Sequence, residues 1–187
     1  GRAQLVVGYK GYVTIAARSG ITITHLRSKA RQWKKDHDIQ FLAIDYLQII
    51  RSNSKQPQGS KEREVAEVSV GIKNLAKELG IPILLLAQLG RGPEDRAGKE
   101  RGIPRMSDLQ WSGAIEQEAD MIGLLWRKAY YASSEAEKGA LAGQAELILC
   151  KNRNGDTGFV PLTWVAELTR FESGSPYPEP QDQGPKG

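Results

Sequence analysis

The chain has 187 residues, 40% of them hydrophobic and 26% charged, with a formal net charge of +4; that balance belongs to one soluble globular domain and excludes fibrous and disordered classes. The basic excess is compatible with a polyanionic partner, although many cytosolic proteins are this basic without touching nucleic acid. Cys150 is the only cysteine, which excludes a disulfide framework or a cysteine-rich zinc site within one chain and fits a reducing, cytoplasmic setting.

No apolar run approaches the roughly 20 residues of a membrane-spanning helix, and no charged-then-apolar leader opens the chain. Neither membrane insertion nor secretion is therefore expected. The first residue is Gly1, and a strand-like segment, Tyr12 to Ala16, follows almost at once. The chain reads as a piece of something longer.

Thr22 or Thr24 can then cap a helix running to about His37, with Leu26, Ala30 and Trp33 spaced for one buried face. His25 and His37 lie on that helix without a matching cluster of ligands and read as surface residues. Phe41 to Ile50 is an almost unbroken apolar run interrupted by Asp45, the pattern of a strand buried on both sides of a parallel sheet. The segment from Arg51 to Ser60 is polar and reads as an exposed loop.

A helix is expected from Lys61, where Val65, Val68, Ile72, Leu75 and Leu79 form one apolar stripe and Gly80 stops it. Ile81 to Ala87 reads as a second buried strand, ending at Gln88. The long stretch from Gly90 to Arg105, rich in Gly, Pro and charge, reads as mobile or functional.

A short helix around Ser112 to Ala119, a strand at Met121 to Trp126 and a polar helix near Ser133 to Leu141 come next. Ala145 to Lys151 and Phe159 to Trp164 flank the turn signal Asn154-Gly155, predicting a hairpin at a sheet edge. From Ser173 onward Pro, Gly and Gln dominate, so 173–187 is expected to be a disordered tail behind a domain at 1–172. Strands alternating with helices predict an α/β fold.

Four groups of residues could carry chemistry. A buried charge at Asp45 without a partner would cost several kcal/mol, so it needs a cation, donors or a strand end. An acid at the carboxyl end of a strand can hold the water shell of a nucleotide-bound magnesium ion; an aspartate bonded to backbone amides is the equal alternative.

Gln88 ends the next strand and would share Asp45's edge of a parallel sheet, where an amide can sense a γ-phosphate or simply cap a loop. Lys151 and Arg153, two residues apart on a strand entering a turn, would point to one face and suit a phosphate, or else form a solvated hairpin tip. Arg91, Arg96, Lys99, Arg101 and Arg105, followed by Trp111 and Gly113, are the mix of a loop that follows a single-stranded backbone, or of an ordinary solvated loop.

LAIDYLQII (Leu42 to Ile50), AQLGR (Ala87 to Arg91), SDLQWSGAIEQEAD (Ser107 to Asp120) and KNRNGDTG (Lys151 to Gly158), in this order, resemble the DnaB family of hexameric replicative helicases. ITITHLRSKAR at Ile21 to Arg31 and the helix EVAEVSVGIKNLAKELGIP at Glu64 to Pro82 support the resemblance, which spans Ser19 to Phe171.

The resemblance implies a RecA-like P-loop ATPase core, truncated at its N-terminus: a mostly parallel sheet with helices on both faces and a C-terminal β-hairpin. It implies an ATP-driven motor that translocates on single-stranded DNA as a homo-hexameric ring, with primase and a helicase loader as partners. Asp45 would act on magnesium and Gln88 would sense the γ-phosphate of ATP. Lys151 and Arg153 would reach a neighbouring subunit's nucleotide, Arg153 as an arginine finger. Arg105, Gln110, Trp111, Ser112 and Gly113 would belong to the DNA-facing loops.

Two departures stand out. Gln110 and Trp111 stand where family members commonly have Arg and Glu, so Trp111 could stack on a base or pack between subunits. No G-x-x-x-x-G-K-[ST] occurs in the 187 residues, and the family's first acidic catalytic motif has no counterpart; without the glycine cradle and its lysine, these residues alone are expected to be inactive. The rival readings are another RecA-like ATPase, or a non-enzymatic DNA-binding or scaffold subunit.

Overall fold

The computed structural model describes residues 3–9, 12–18, 20–53, 61–98 and 101–174. The chain separates into two compact units, Gly1–Gly90 with Leu109–Ala119, and Arg91–Asp108 with Asp120–Gly187.

The first unit is an α/β layer. Its sheet has the order β2-β1-β3-β4, formed by β1 (Ala3–Tyr9), β2 (Tyr12–Arg18), β3 (Phe41–Asp45) and β4 (Ile83–Leu85). The β1–β2 and β1–β3 pairs are antiparallel; β3 and β4 are parallel, with Leu42 opposite Ile83 and Ile44 opposite Leu85.

Helix α1 (Ile23–His37) starts where the Thr22 hydroxyl accepts a hydrogen bond from the His25 amide, and buries Ile23, Leu26 and Ala30. Helix α2 (Lys61–Leu79) buries Val65, Val68, Ile72 and Leu75, the predicted stripe; Gly80 follows in the left-handed region at φ 64°, which a glycine enters without steric cost. Leu26, Leu42, Ile44 and Leu75 are fully buried, each such side chain contributing roughly 2 kcal/mol.

Two expectations change here. The apolar run from Phe41 does not continue as a strand to Ile50: β3 ends at Asp45, and Leu47–Ile49 form a 3-10 turn that buries Leu47. Nor is the strand covered equally on both sides: Leu42 and Ile44 are sealed, whereas Phe41, Leu84 and Leu86 are exposed. An apolar run reports hydrophobicity, not which face is covered.

The second unit is built on the antiparallel sheet β5-β6-β7-β8, from β5 (Met121–Arg127), β6 (Gln144–Asn152), β7 (Gly158–Val165) and β8 (Arg170–Ser173). Parallel strand pairing among the described residues is thus confined to β3 with β4. The β6–β7 hairpin pairs Ala145 with Leu162 and Leu149 with Gly158, as the Asn154-Gly155 signal anticipates. The strand β8 reaches Ser173, the first residue of the expected tail; from residue 175 that tail lies outside the described residues, as do 54–60 of the expected loop.

The stretch from Gly90 to Arg105 is less loose than its composition suggests. It contains the short helix α3 (Gly92–Asp95), and Arg96 donates to both carboxylate oxygens of Asp108 at 2.9 and 2.7 Å and to the Ile103 carbonyl. The short helices α4 (Ser112–Glu118), in the first unit, and α5 (Glu135–Ala140), capped by Ser134, complete the chain.

Candidate nucleotide and DNA site

Parallel pairing puts the carboxyl ends of β3 and β4 on one edge of their sheet. Asp45 is the last residue of β3 and Gln88 follows just beyond β4. The edge is held by backbone bonds from Leu86 N–H to the Ile44 carbonyl at 3.0 Å and from Leu47 N–H to the Leu86 carbonyl at 2.8 Å. Across it lies the Gln48 amide, whose Nε2 donates to the Gln88 carbonyl while its Oε1 accepts from the Gln88 N–H, both at 3.3 Å. Gln88 is therefore fixed through its main chain and its side chain is left exposed.

The Asp45 carboxylate is half-buried and has no hydrogen-bond or ion-pair partner among the described residues. Of the alternatives open at the sequence level, the bond to backbone amides is therefore not formed. No group of three or more His, Cys, Asp or Glu that could hold a metal is present among the described residues. One unpartnered carboxylate at a strand end suits magnesium, which keeps several waters and takes its other ligands from phosphate oxygens.

Lys151 and Arg153 belong to the second unit. Lys151 is near the end of β6, opposite Ile122. Arg153 lies one residue beyond the strand, in the turn, so strand alternation does not set its direction. Asp120 does: the Arg153 N–H donates to the Asp120 carbonyl at 2.9 Å, and Arg153 Nη1 donates to Asp120 Oδ1 at 3.2 Å.

The DNA-loop candidates divide between the units. Arg105 is exposed and its N–H donates to Asp108 Oδ2 at 2.7 Å. The Arg96 guanidinium, followed by this amide and the Arg105 charge, holds the Asp108 carboxyl below the ordinary aspartate range against the opposing effect of burial. Gln110 and Gly113 are exposed in the first unit, and Trp111 caps α4 at φ 58°, ψ 42°. A left-handed backbone costs a bulky residue roughly 1 to 2 kcal/mol. Ser112 is the first residue of α4.

Sequence reasoning passed over Gln48, Asp108 and Asp120. Each lies inside a motif already singled out, but its role depends on a partner that only the fold supplies: Gln88, Arg96 and Arg153.

The model of the DnaB-like helicase C-terminal domain matches residues 7–173. The chain belongs to that family. It is 38% identical over 152 residues to the replicative DNA helicase DnaC of Bacillus subtilis (strain 168), covering 81% of this chain and 32% of the relative. It is 40% identical over 156 residues to the replicative DNA helicase DnaB of Leifsonia xyli subsp. xyli, covering 83% and 32%. The chain thus spans about a third of the length of these curated relatives, 32% in both.

Among solved structures, a DnaB-like replicative helicase described with its interactions with primase is similar at a TM-score of 0.67 and 32% identity, over 81% of this chain and 35% of its own. A helicase-type ATPase domain is similar at a TM-score of 0.70 and 32% identity, over 83% and 52%. The RecA-like α/β class expected from the motifs is the class of these neighbours. No helix of the described residues is long and apolar enough to cross a membrane.

Proposed function

We propose that this chain is the motor part, residues 1–172, of an ATP-dependent replicative DNA helicase, which acts in the cytoplasm as a homo-hexameric ring translocating on single-stranded DNA and unwinding duplex. The observation that carries the reading is the unpartnered Asp45 carboxylate at the end of β3, on the same sheet edge as Gln88. A carboxylate left without a donor in a half-buried position requires a cation, and an amide fixed through its backbone can report the γ-phosphate.

In this reading ATP and Mg2+ are the cofactors; magnesium would neutralise charge building on the transferring phosphoryl group. Asp45 orients its water shell, and Gln88 contacts the γ-phosphate. Lys151 and Arg153 act on a neighbouring subunit's nucleotide, where an arginine finger can be worth orders of magnitude in rate.

Arg105, Gln110, Trp111, Ser112 and Gly113 line the path of the single strand. Contacts of this kind go to phosphate and sugar, which explains tolerance of any sequence. Primase and a loader are the partners implied for the whole protein, and the primase named for one solved relative supports the first. The glycine-rich phosphate loop is not among these 187 residues and must come from elsewhere in the whole protein.

The test is DNA-stimulated ATP hydrolysis and unwinding by the full-length protein. Asp45→Ala and Arg153→Ala should each lower turnover at least about 100-fold, and the 187 residues alone should turn over no ATP. Full activity in either variant, or magnesium-dependent turnover by the chain alone, sinks the assignment.

A further inference from the structure

The β5–β6 ladder runs from Arg127 opposite Ala145 to Met121 opposite Asn152, with a register shift between Ile122 and Gly123. Immediately outside it, one residue holds Arg153 twice. The Asp120 carbonyl accepts the Arg153 main-chain N–H at 2.9 Å, and the Asp120 carboxylate accepts the guanidinium at 3.2 Å.

Both side chains are about half exposed, 48% for Arg153 and 56% for Asp120. An ion pair so exposed contributes roughly 0 to 1 kcal/mol, so folding gains little from it. What it supplies is direction: an arginine in a turn, beyond the reach of strand alternation, is aimed by a carboxylate tied to the same place on the backbone. The weakness of the pair matters as well. A phosphate oxygen offers the guanidinium the same kind of charge-assisted bond, so handing Arg153 from carboxylate to phosphate leaves no charge unpaired.

We propose that Asp120 is a positioning residue for Arg153, holding the guanidinium at the end of β6 in the orientation from which it reaches a nucleotide's polyphosphate and releasing it when that phosphate arrives. This rests on the reading of Arg153 as a group that acts on a nucleotide. It adds the residue that makes the arginine ready to act.

Asp120→Ala is a clean probe, because it removes the carboxylate and keeps the carbonyl that anchors the Arg153 amide. In the full-length protein with single-stranded DNA, kcat for ATP should fall about tenfold, the scale of a misaimed catalytic group, with KM and melting temperature unchanged. Asp120→Asn keeps an acceptor oxygen and should recover most of the loss. In an Arg153→Ala background the Asp120 substitution should add nothing.

A wild-type kcat in Asp120→Ala overturns the positioning role, as does a loss that follows the melting temperature or that Asn fails to rescue. If Arg153→Ala itself keeps full turnover, the reading of Arg153 fails. Should Arg153→Ala be dead and Asp120→Ala silent, only the present proposal falls.

Discussion

The two units are held together by different physics. In the first, fully buried aliphatic side chains from β3, α1 and α2 (Ile44, Leu42, Leu26, Leu75) form the core. In the second, buried aliphatic residues are fewer, Ile122, Leu124, Ala145 and Ile148, and charge fills the deficit. Arg96 grips Asp108, Lys128 pairs with Glu146 at 2.6 Å, and the Arg127 guanidinium lies 4.2 Å from the Trp164 ring centre. The difference teaches where each unit is vulnerable: the first to lost volume, the second to a lost charge partner.

The largest effect is expected from Ile44→Ala. It opens a cavity under α1 and α2 and should cost about 4 kcal/mol, measured by chemical denaturation. A loss below about 1 kcal/mol would mean that the first unit does not depend on that core.

Asp108→Ala should come next. Its side chain is 5% exposed, and its removal strands the Arg96 guanidinium in a partly buried place, at about 3 kcal/mol. Protease should then cut within 91–108 before the sheet unfolds; an unchanged cleavage pattern would show that the loop is held by something else.

The smallest effect sharpens the contrast by placing a charge in the first unit. Glu78, at the end of α2, is gripped by Arg31 and Arg27 of α1, and its carboxyl is lowered from 4.5 to about 2, chiefly by the bond from Arg31. A depressed folded pKa gives stability that is present above pH 4.5 and drains away as pH falls toward 2. Because the cluster is exposed, the effect should be slight. Melting temperatures across that window should fall less steeply in Glu78→Gln than in the unaltered chain; parallel curves would refute the linkage.

What could be read from the sequence was local. The Thr22 cap, the stripe on α2 and its stop at Gly80 are written within a few residues of where they act, and the helices stand where they were expected. The Asn154-Gly155 turn is local too. The 3-10 turn at Leu47–Ile49 was not legible, because it has the same apolar composition as the strand before it. Strand β8 at Arg170–Ser173 was hidden at the border of a polar tail; its pairing with β7 depends on residues such as Trp164, against whose ring Phe171 packs at 4.7 Å between centres.

The site followed the same rule. Asp45 and Gln88 announce themselves as polar residues ending apolar strands, and the pairing of those strands brings them to one edge. The aim of Arg153 was illegible because Asp120, which sets it, lies 33 residues earlier in the chain.

The two-way bond between the Gln48 side chain and the Gln88 backbone bears on which sequences this fold can accept. A carboxylate at position 48 would accept from the Gln88 amide but could not donate to its carbonyl, and an ammonium would do the reverse. Asparagine offers both groups on a side chain one methylene shorter. Variation at position 48 is thus restricted by a chemical requirement that hydrophobicity, size and charge scales do not register, and a survey of tolerated substitutions should find glutamine there even though the residue never touches the nucleotide.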